Sequence, residues 1–305
     1  MDVRKDRSRR EFIRDMATLT GAVAMPSAMA GHAAEATSPD LVVASGEDPK
    51  AMVRKAVAEL GGMRKFVSRG DVVVIKPNIG WDRKPEQGAN TNPDVVVTLI
   101  EMAFEAGAKE IKIFDRPVDN PAKSYAASGI AAAAQEAGAK VLPHNQLQTT
   151  TIPIKDGVHL KQSSVFKDAL ECNCYINVPV AKHHMMTELT MALKNHMGVT
   201  SDNRALAWHT QLHQALADFA SAFKPKLTVL DAYRIVVRNG PKAGGLADVQ
   251  MPKKCIVGTN QVSVDAYGTT LFGKKPTDIG HIAIAGKMGL GEIDLGKLTI
   301  KQVTA

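Results

Sequence analysis

The sequence predicts an α/β protein, a mostly parallel β-sheet flanked by helices, built as a single large domain. Three observations carry that expectation. Short β-branched runs alternate with stretches of helical spacing, Asn-Pro and Gly residues stand where those stretches should start and stop, and 305 residues with 45% hydrophobic and 23% charged side chains suffice for a substantial core. Parallel neighbours need long crossovers, so such alternation folds naturally into a parallel sheet covered by helices.

The first thirty residues read as an address rather than as structure. Ser8-Arg9-Arg10-Glu11-Phe12-Ile13-Arg14 sets a twin arginine before the mildly apolar stretch Met16 to Met25, and Ala28-Met29-Ala30 offers a small-residue cleavage site. The expected organisation is a twin-arginine export signal over 1–30, a linker over 31–37 and the α/β domain over 38–305, in the periplasm or otherwise exported. A basic amphipathic arm is the bland alternative. After residue 30 no apolar run is long enough to span a bilayer, so the mature protein is not expected to cross a membrane.

Within the domain, Leu41-Val42-Val43-Ala44 is the first strand, Pro49 to Leu60 a helix, and Val72-Val73-Val74-Ile75 the second strand. Asn92-Pro93 starts a helix that should stop at Gly107, with a capping side chain followed by proline in the first turn. Ile111 to Phe114 is a strand, and Gly138 closes the helical stretch after it. From His144 to Val165 the pattern loosens into turns and short strands, which leaves a two-lobed division near His144 to Asp156 open. Tyr175 to Val178 reads as a buried strand, Leu189 to His196 and Ala205 to Phe223 as helices, and Leu227 to Leu230 as a strand ending at Asp231. Cys255 to Gly258 is a further strand, followed by helices over Val262 to Leu271 and Ile279 to Lys287.

Polar residues fall repeatedly just after these strands: Lys76-Pro77-Asn78, Asp115-Arg116, the segment Pro179 to His184, and Asp231. In open α/β sheets ligands sit beyond the carboxyl ends of the strands, so these residues should converge on one rim. Each alone also fits a dull role, a solvated turn or a cap; placed after consecutive strands they favour a site.

Lys76, Lys182 and Lys194 would neutralise an anion, while Asn78 and Asn195 would orient it. Asn90, Thr91 and Asn92 add donors at a helix N-terminus, Asp115 lies on the same rim, and Gly240 permits close approach to a ligand. His184 is the candidate acid or base, since imidazole changes charge near neutral pH. His184, His213 and Asp231 form a candidate set for a divalent metal; His209 and His213 are four apart on the expected helix, but the Glu of a zinc-protease helix is absent between them.

Composition narrows the partners. The whole chain carries +7; without the first thirty residues, which hold six basic and four acidic side chains, about +5 remains. With no basic run and no aromatic interleaving, this argues for an anionic small molecule and against nucleic acid. Cys172, Cys174 and Cys255 do not form an iron–sulfur cluster motif; a disulfide from the close pair to Cys255 is sterically open.

In this order, Lys76-Pro77-Asn78, Asn90-Thr91-Asn92-Pro93, Val178 to His184, Leu193-Lys194-Asn195 with Gly198, then His213, Asp231, Gly240-Pro241 and Val264-Asp265 resemble domain-of-unknown-function family 362, from about Val72 to Ile300. Members of that family are often associated with iron–sulfur proteins. The resemblance therefore implies an iron–sulfur or redox partner, with the cluster on the partner, because no residue here matches a ferredoxin module. Two functions follow as expectations: binding of an anionic small molecule or cofactor, with or without a divalent metal, or a non-enzymatic accessory role in a periplasmic redox complex.

Overall fold

A computed structural model of the chain describes residues 38–305. The segments expected as an export signal and a linker, residues 1–37, lie outside the described residues. Ser38–Ala305 forms one compact unit, so the two-lobed division is not adopted.

The strands are β1 (Leu41–Ser45), β2 (Val72–Pro77), β3 (Glu110–Ile113), β4 (Lys140–Val141), β5 (Thr149–Pro153), β6 (Gln162–Phe166), β7 (Cys174–Val178), β8 (Val180–His184), β9 (Glu188–Thr190), β10 (Leu227–Val236), β11 (Val249–Gln250), β12 (Lys254–Gly258) and β13 (Ile300–Thr304). The main sheet runs β13-β1-β12-β10-β7-β2-β3-β4, and β5 and β6 form a separate antiparallel pair. Along the main path every pairing is parallel except the two that flank β12.

Alternation along the strands assigns residues to the two faces. Val42 and Ala44 of β1 join one core cluster and Leu41 and Val43 the other; Val73 and Ile75 of β2 share the first cluster, while Val74 faces a third built around Phe114, Trp208, Phe219 and Phe223. Both faces are covered, which is why these strands read as continuous apolar runs. The Pro49–Glu59 and Pro93–Ala106 helices cover the first face. The second helix begins as expected, with Asn92 Oδ1 accepting the Asp94 N–H at 3.1 Å and Pro93 in the first turn, and stops at Gly107 with φ +107°.

Three expectations are corrected. Pro179 to His184, expected only as the polar segment that follows a strand, itself holds a strand: β8 pairs with β10 in parallel and with β9 as an antiparallel hairpin. Leu189 to His196 is not one helix, because β9 occupies its start and a single helical turn, Ala192–Asn195, follows, its first N–H groups bound by the buried Asp265 carboxylate at 2.6 and 2.9 Å. Asp231 is not at a strand end, since β10 continues through Val236. The three cysteines are free thiols; Cys174 and Cys255 are buried in the same core cluster. No helix among the described residues is long and apolar enough to cross a membrane.

Candidate functional site

Three neighbouring parallel strands, β7, β2 and β3, end on one rim and each delivers polar residues to it. Thr91 holds two of those ends together: its Oγ1 accepts the Asn78 N–H at 2.8 Å and donates to the Val178 carbonyl at 2.8 Å. A cavity of about 170 Å³ opens there. It is smaller than the roughly 300–1,000 Å³ usual for drug-sized ligands, so it suits a compact one.

Of the residues expected from the sequence, Lys76, Asn78, Asp115, Lys182, His184, Lys194 and Asn195 line this cavity together. They form a continuous network. Lys76 Nζ lies 2.9 Å from Asp115 Oδ1 and donates to the Asn195 carbonyl and Oδ1, both at 2.7 Å. Asn195 Oδ1 also accepts from Asn78 Nδ2 at 3.1 Å, and its own amide donates to Asn177 Oδ1 at 2.8 Å and to the Lys76 carbonyl at 3.2 Å. Lys182 Nζ donates to Asn78 Oδ1 at 3.0 Å and to the Ala89 carbonyl. Asn195 therefore uses its amide on the protein and positions the lysines, rather than being free to orient a ligand.

Asn90, Thr91, Asn92 and Gly240, expected as ligand contacts, do not line the cavity. Asn90 folds its own loop, accepting from Trp81 N and donating to the Trp81 and Arg83 carbonyls. Gly240 is required by close approach: it donates its N–H to His183 Nδ1 at 3.0 Å, and a Cβ there would stand 2.0 Å from the His183 carbonyl oxygen.

The candidate metal set is not assembled. Among the described residues no group of three or more His, Cys, Asp or Glu side chains stands close enough to hold a metal ion, and a cysteine-bound cluster does not fit either. Asp231 is consumed by the backbone, accepting from Asn92 N at 2.7 Å and Tyr233 N at 3.0 Å, and its burial raises its pKa to about 6. His213 stacks on the buried His281 instead of facing the cavity. His209 and His213 do not share a helix, because the chain changes from a 3-10 turn to an α-helix at Leu212.

Arg116, which follows β3 next to Asp115, also lines the cavity, as do Trp81, Gly198, Arg204 and His209, which were not expected there from the strand ends. Arg116 was visible beside Asp115, but Arg204 and His209 reach the rim from a segment that carries no strand-end signal. Arg116 Nη1 donates to the carbonyls of Thr200 and Asp202 at 3.0 and 2.7 Å, and Arg204 to those of Arg116 and Pro117, leaving its buried Nε without a partner among the described residues.

Electrostatically the cavity is lopsided. Asp115 is its one carboxylate, and Lys76 already takes it. Among the described residues no carboxylate lies within ion-pair distance of Lys182, Lys194, Arg116 or Arg204. Burial, reinforced by Lys194, pushes the Lys182 pKa far down; burial beside Arg204 lowers Lys194 to about 7. Burial and Arg116 lower Arg204 to about 10, so it stays charged at neutral pH.

His184 is corrected as an acid or base working near neutrality. Burial, with Lys194 and Lys182 adding repulsion, pushes its pKa to about 3. Its Nδ1 accepts the Met186 N–H at 3.1 Å, so the neutral ring carries its proton on Nε2. His196, the third histidine of the stretch, is a wholly buried structural residue between Tyr175, Asn177 and Gln261, with a pKa lowered by burial to about 3.

Comparison with known proteins gives three findings. The model of the family described as "Domain of unknown function (DUF362)" matches residues 73–270. The thylakoid-associated protein sll1697 of Synechocystis sp. is 28% identical over 256 residues, 79% of this chain and 75% of that protein. Among solved structures, the lactate racemase apoprotein from Thermoanaerobacterium thermosaccharolyticum superposes with a TM-score of 0.45 at 11% identity, over 75% of this chain and 56% of that one. This chain thus spans a little over half the length of that protein.

Proposed function

The chain belongs to the DUF362 family, and on that premise we propose that it binds a compact anionic small molecule in the cationic cavity beyond β2, β3 and β7. One observation carries the reading: Lys182, Lys194, Arg116 and Arg204 line one cavity whose single carboxylate is already paired with Lys76. Desolvated cations without counterions cost several kcal/mol each, and a bound anion offsets that cost where water is excluded. Phosphate, sulfate and small carboxylates have the right charge and size.

The test is thermal unfolding of the full chain in sulfate, phosphate and small carboxylates against chloride at matched ionic strength. Saturable stabilisation that disappears in Lys182→Met/Lys194→Met supports the reading, since a ligand that binds only the folded state raises its stability with concentration. If no anion stabilises the protein beyond chloride, the cavity is not an anion site.

The twin-arginine segment supports export of the folded protein, which a precursor bearing Arg9→Lys and Arg10→Lys should fail to undergo. The accessory role keeps one supporting observation: Val118 and Met186, both lining the cavity, are 59% and 48% exposed, with Met185 beside them 79% exposed. An apolar rim of that kind suits a docking partner, and a stable complex with a redox or iron–sulfur protein, isolated from native extract and lost in Met185→Ser/Met186→Ser, would favour it over a free-standing ligand-binding protein.

A further inference from the structure

Lys194 differs from every other basic side chain of the cavity in what its nitrogen touches. Lys76 is held by Asp115 and Asn195, Lys182 by Asn78 and the Ala89 carbonyl, and the two guanidinium groups by backbone carbonyls. The one hydrogen-bond partner of Lys194 Nζ among the described residues is the thioether sulfur of Met197 at 3.4 Å, a weak acceptor. An amine so placed has nothing to hold it as ammonium, and once deprotonated its lone pair is not engaged.

The surroundings favour that deprotonated form. Burial beside Arg204 brings the Lys194 pKa to about 7, so about half is free amine at neutral pH. An ordinary lysine near 10.4 is free amine in roughly one molecule in 2,500 at pH 7. The free amine is the nucleophile in carbonyl chemistry, and desolvation next to another cation is a recognised way to obtain it.

The same cavity supplies the rest. Arg116, Arg204 and Lys182 are placed to hold an acid group, and the neutral His184 carries a proton on Nε2. We propose that Lys194 forms an imine with a small anionic aldehyde or ketone, a 2-oxo acid being the simplest class with both an acid group and an adjacent carbonyl. This rests on the anion-binding reading above and names its ligand class. The Nζ lone pair adds to the carbonyl carbon while the C=O π pair takes up on oxygen one of the two amine protons, giving a carbinolamine; the nitrogen lone pair then forms the C=N bond as the C–O bond breaks, and the oxygen leaves as water with the second amine proton. The step is redox-neutral and consumes no co-reactant.

The experiment is borohydride trapping on the full chain with glyoxylate as the probe, followed by peptide mapping. Reduction of the imine leaves a carboxymethyl group on the lysine that reacted. The expected result at pH 7 is a dominant mark on Lys194, at least about a hundred-fold faster than on surface lysines, blocked by sulfate and absent in Lys194→Arg. Acetaldehyde, with the carbonyl but no acid group, should mark Lys194 much more slowly. The rate should rise through about pH 7 and then level, while surface lysines keep accelerating. The charged and titratable groups facing Lys194 around the cavity are Arg204, Arg116, Lys182, Lys76 with its partner Asp115, His184 and His209, and His213 and His281 on the neighbouring helices stand near enough to feel its charge.

Marks spread over many lysines, or concentrated on Lys182, overturn the proposal. Mapping on the unsubstituted protein keeps the result decisive should Lys194→Arg fold poorly. Stabilisation by sulfate without a Lys194 mark overturns the imine and leaves the anion site; loss of both overturns the site as well.

Discussion

Lys76 Nζ stands 2.9 Å from Asp115 Oδ1, and theirs is the one ion pair among the described residues in which both side chains are almost wholly buried. Asp115 also accepts the Ile79 N–H at 2.6 Å and the Arg116 N–H at 2.9 Å, so this pair fixes the chain where β2 and β3 end. Lys194 lines the same cavity and has no such partner.

That contrast separates a structural lysine from a ligand-facing one. Lys76→Met strands a buried carboxylate and should cost about 3–5 kcal/mol. Lys194→Met removes a desolvated charge and strands nothing, so its cost should stay below about 1.5 kcal/mol. Urea unfolding of the two variants checks this; equal losses would mean that Lys194 has a structural role.

Gly198 should tolerate no side chain. A Cβ there would lie 1.8 Å from Asp115 Oδ1 and 2.7 Å from Lys76 Nζ, both buried groups with little freedom to move. Gly198→Ala should destabilise the fold by about 1–3 kcal/mol and abolish stabilisation by sulfate, read in the same thermal-unfolding assay.

Stability should rise with pH above neutrality because of Lys194. Its pKa in the folded protein, about 7, lies below the ordinary 10.5, so between these values the unfolded chain binds more protons than the folded one. The contribution grows as pH rises through that window, by up to about 1.4 kcal/mol per pH unit for one group. Lys182 shifts in the same direction. Unfolding free energies measured from pH 7 to 9.5 should show a smaller slope in Lys194→Met than in the unsubstituted protein.

Anion affinity should move the opposite way. Deprotonation of Lys194 near pH 7 removes a positive charge from the cavity, so sulfate, whose charge is constant over this range, should bind several-fold more weakly at pH 8.5 than at pH 6. His184, held neutral down to about pH 3, contributes no inflection. Calorimetric titration of His184→Gln should therefore retain the shape of the profile; a lost inflection would make the histidine the titrating group.

Asp231 should behave as an anchor. Asp231→Ala leaves the buried Asn92 and Tyr233 N–H groups without their acceptor and should cost about 1–3 kcal/mol. Removal of divalent ions with a chelator should leave the melting temperature of the unsubstituted protein unchanged.

Much of the scaffold was legible because its causes are local. The β-branched runs at Leu41, Val72 and Tyr175 are strands, and Asn92-Pro93 and Gly107 bound a helix, since capping and alternation act over a few residues. The placement of Lys76, Asn78 and Asp115 on one rim followed from the parallel order of β2 and β3.

What only the tertiary structure decided is how those residues are occupied. Val180–His184 became a strand by pairing with the distant β10, and that pairing also carried the strand past Asp231, so a residue expected on the rim became a backbone anchor. Asn195 reaches Lys76 across 119 positions and takes up its hydrogen bonds, and Arg204 enters from a segment with no strand-end signature. Sequence spacing determines which faces and ends residues occupy; whether a buried charge has a partner depends on distances of a few ångströms between segments far apart in the chain, and only folding sets those.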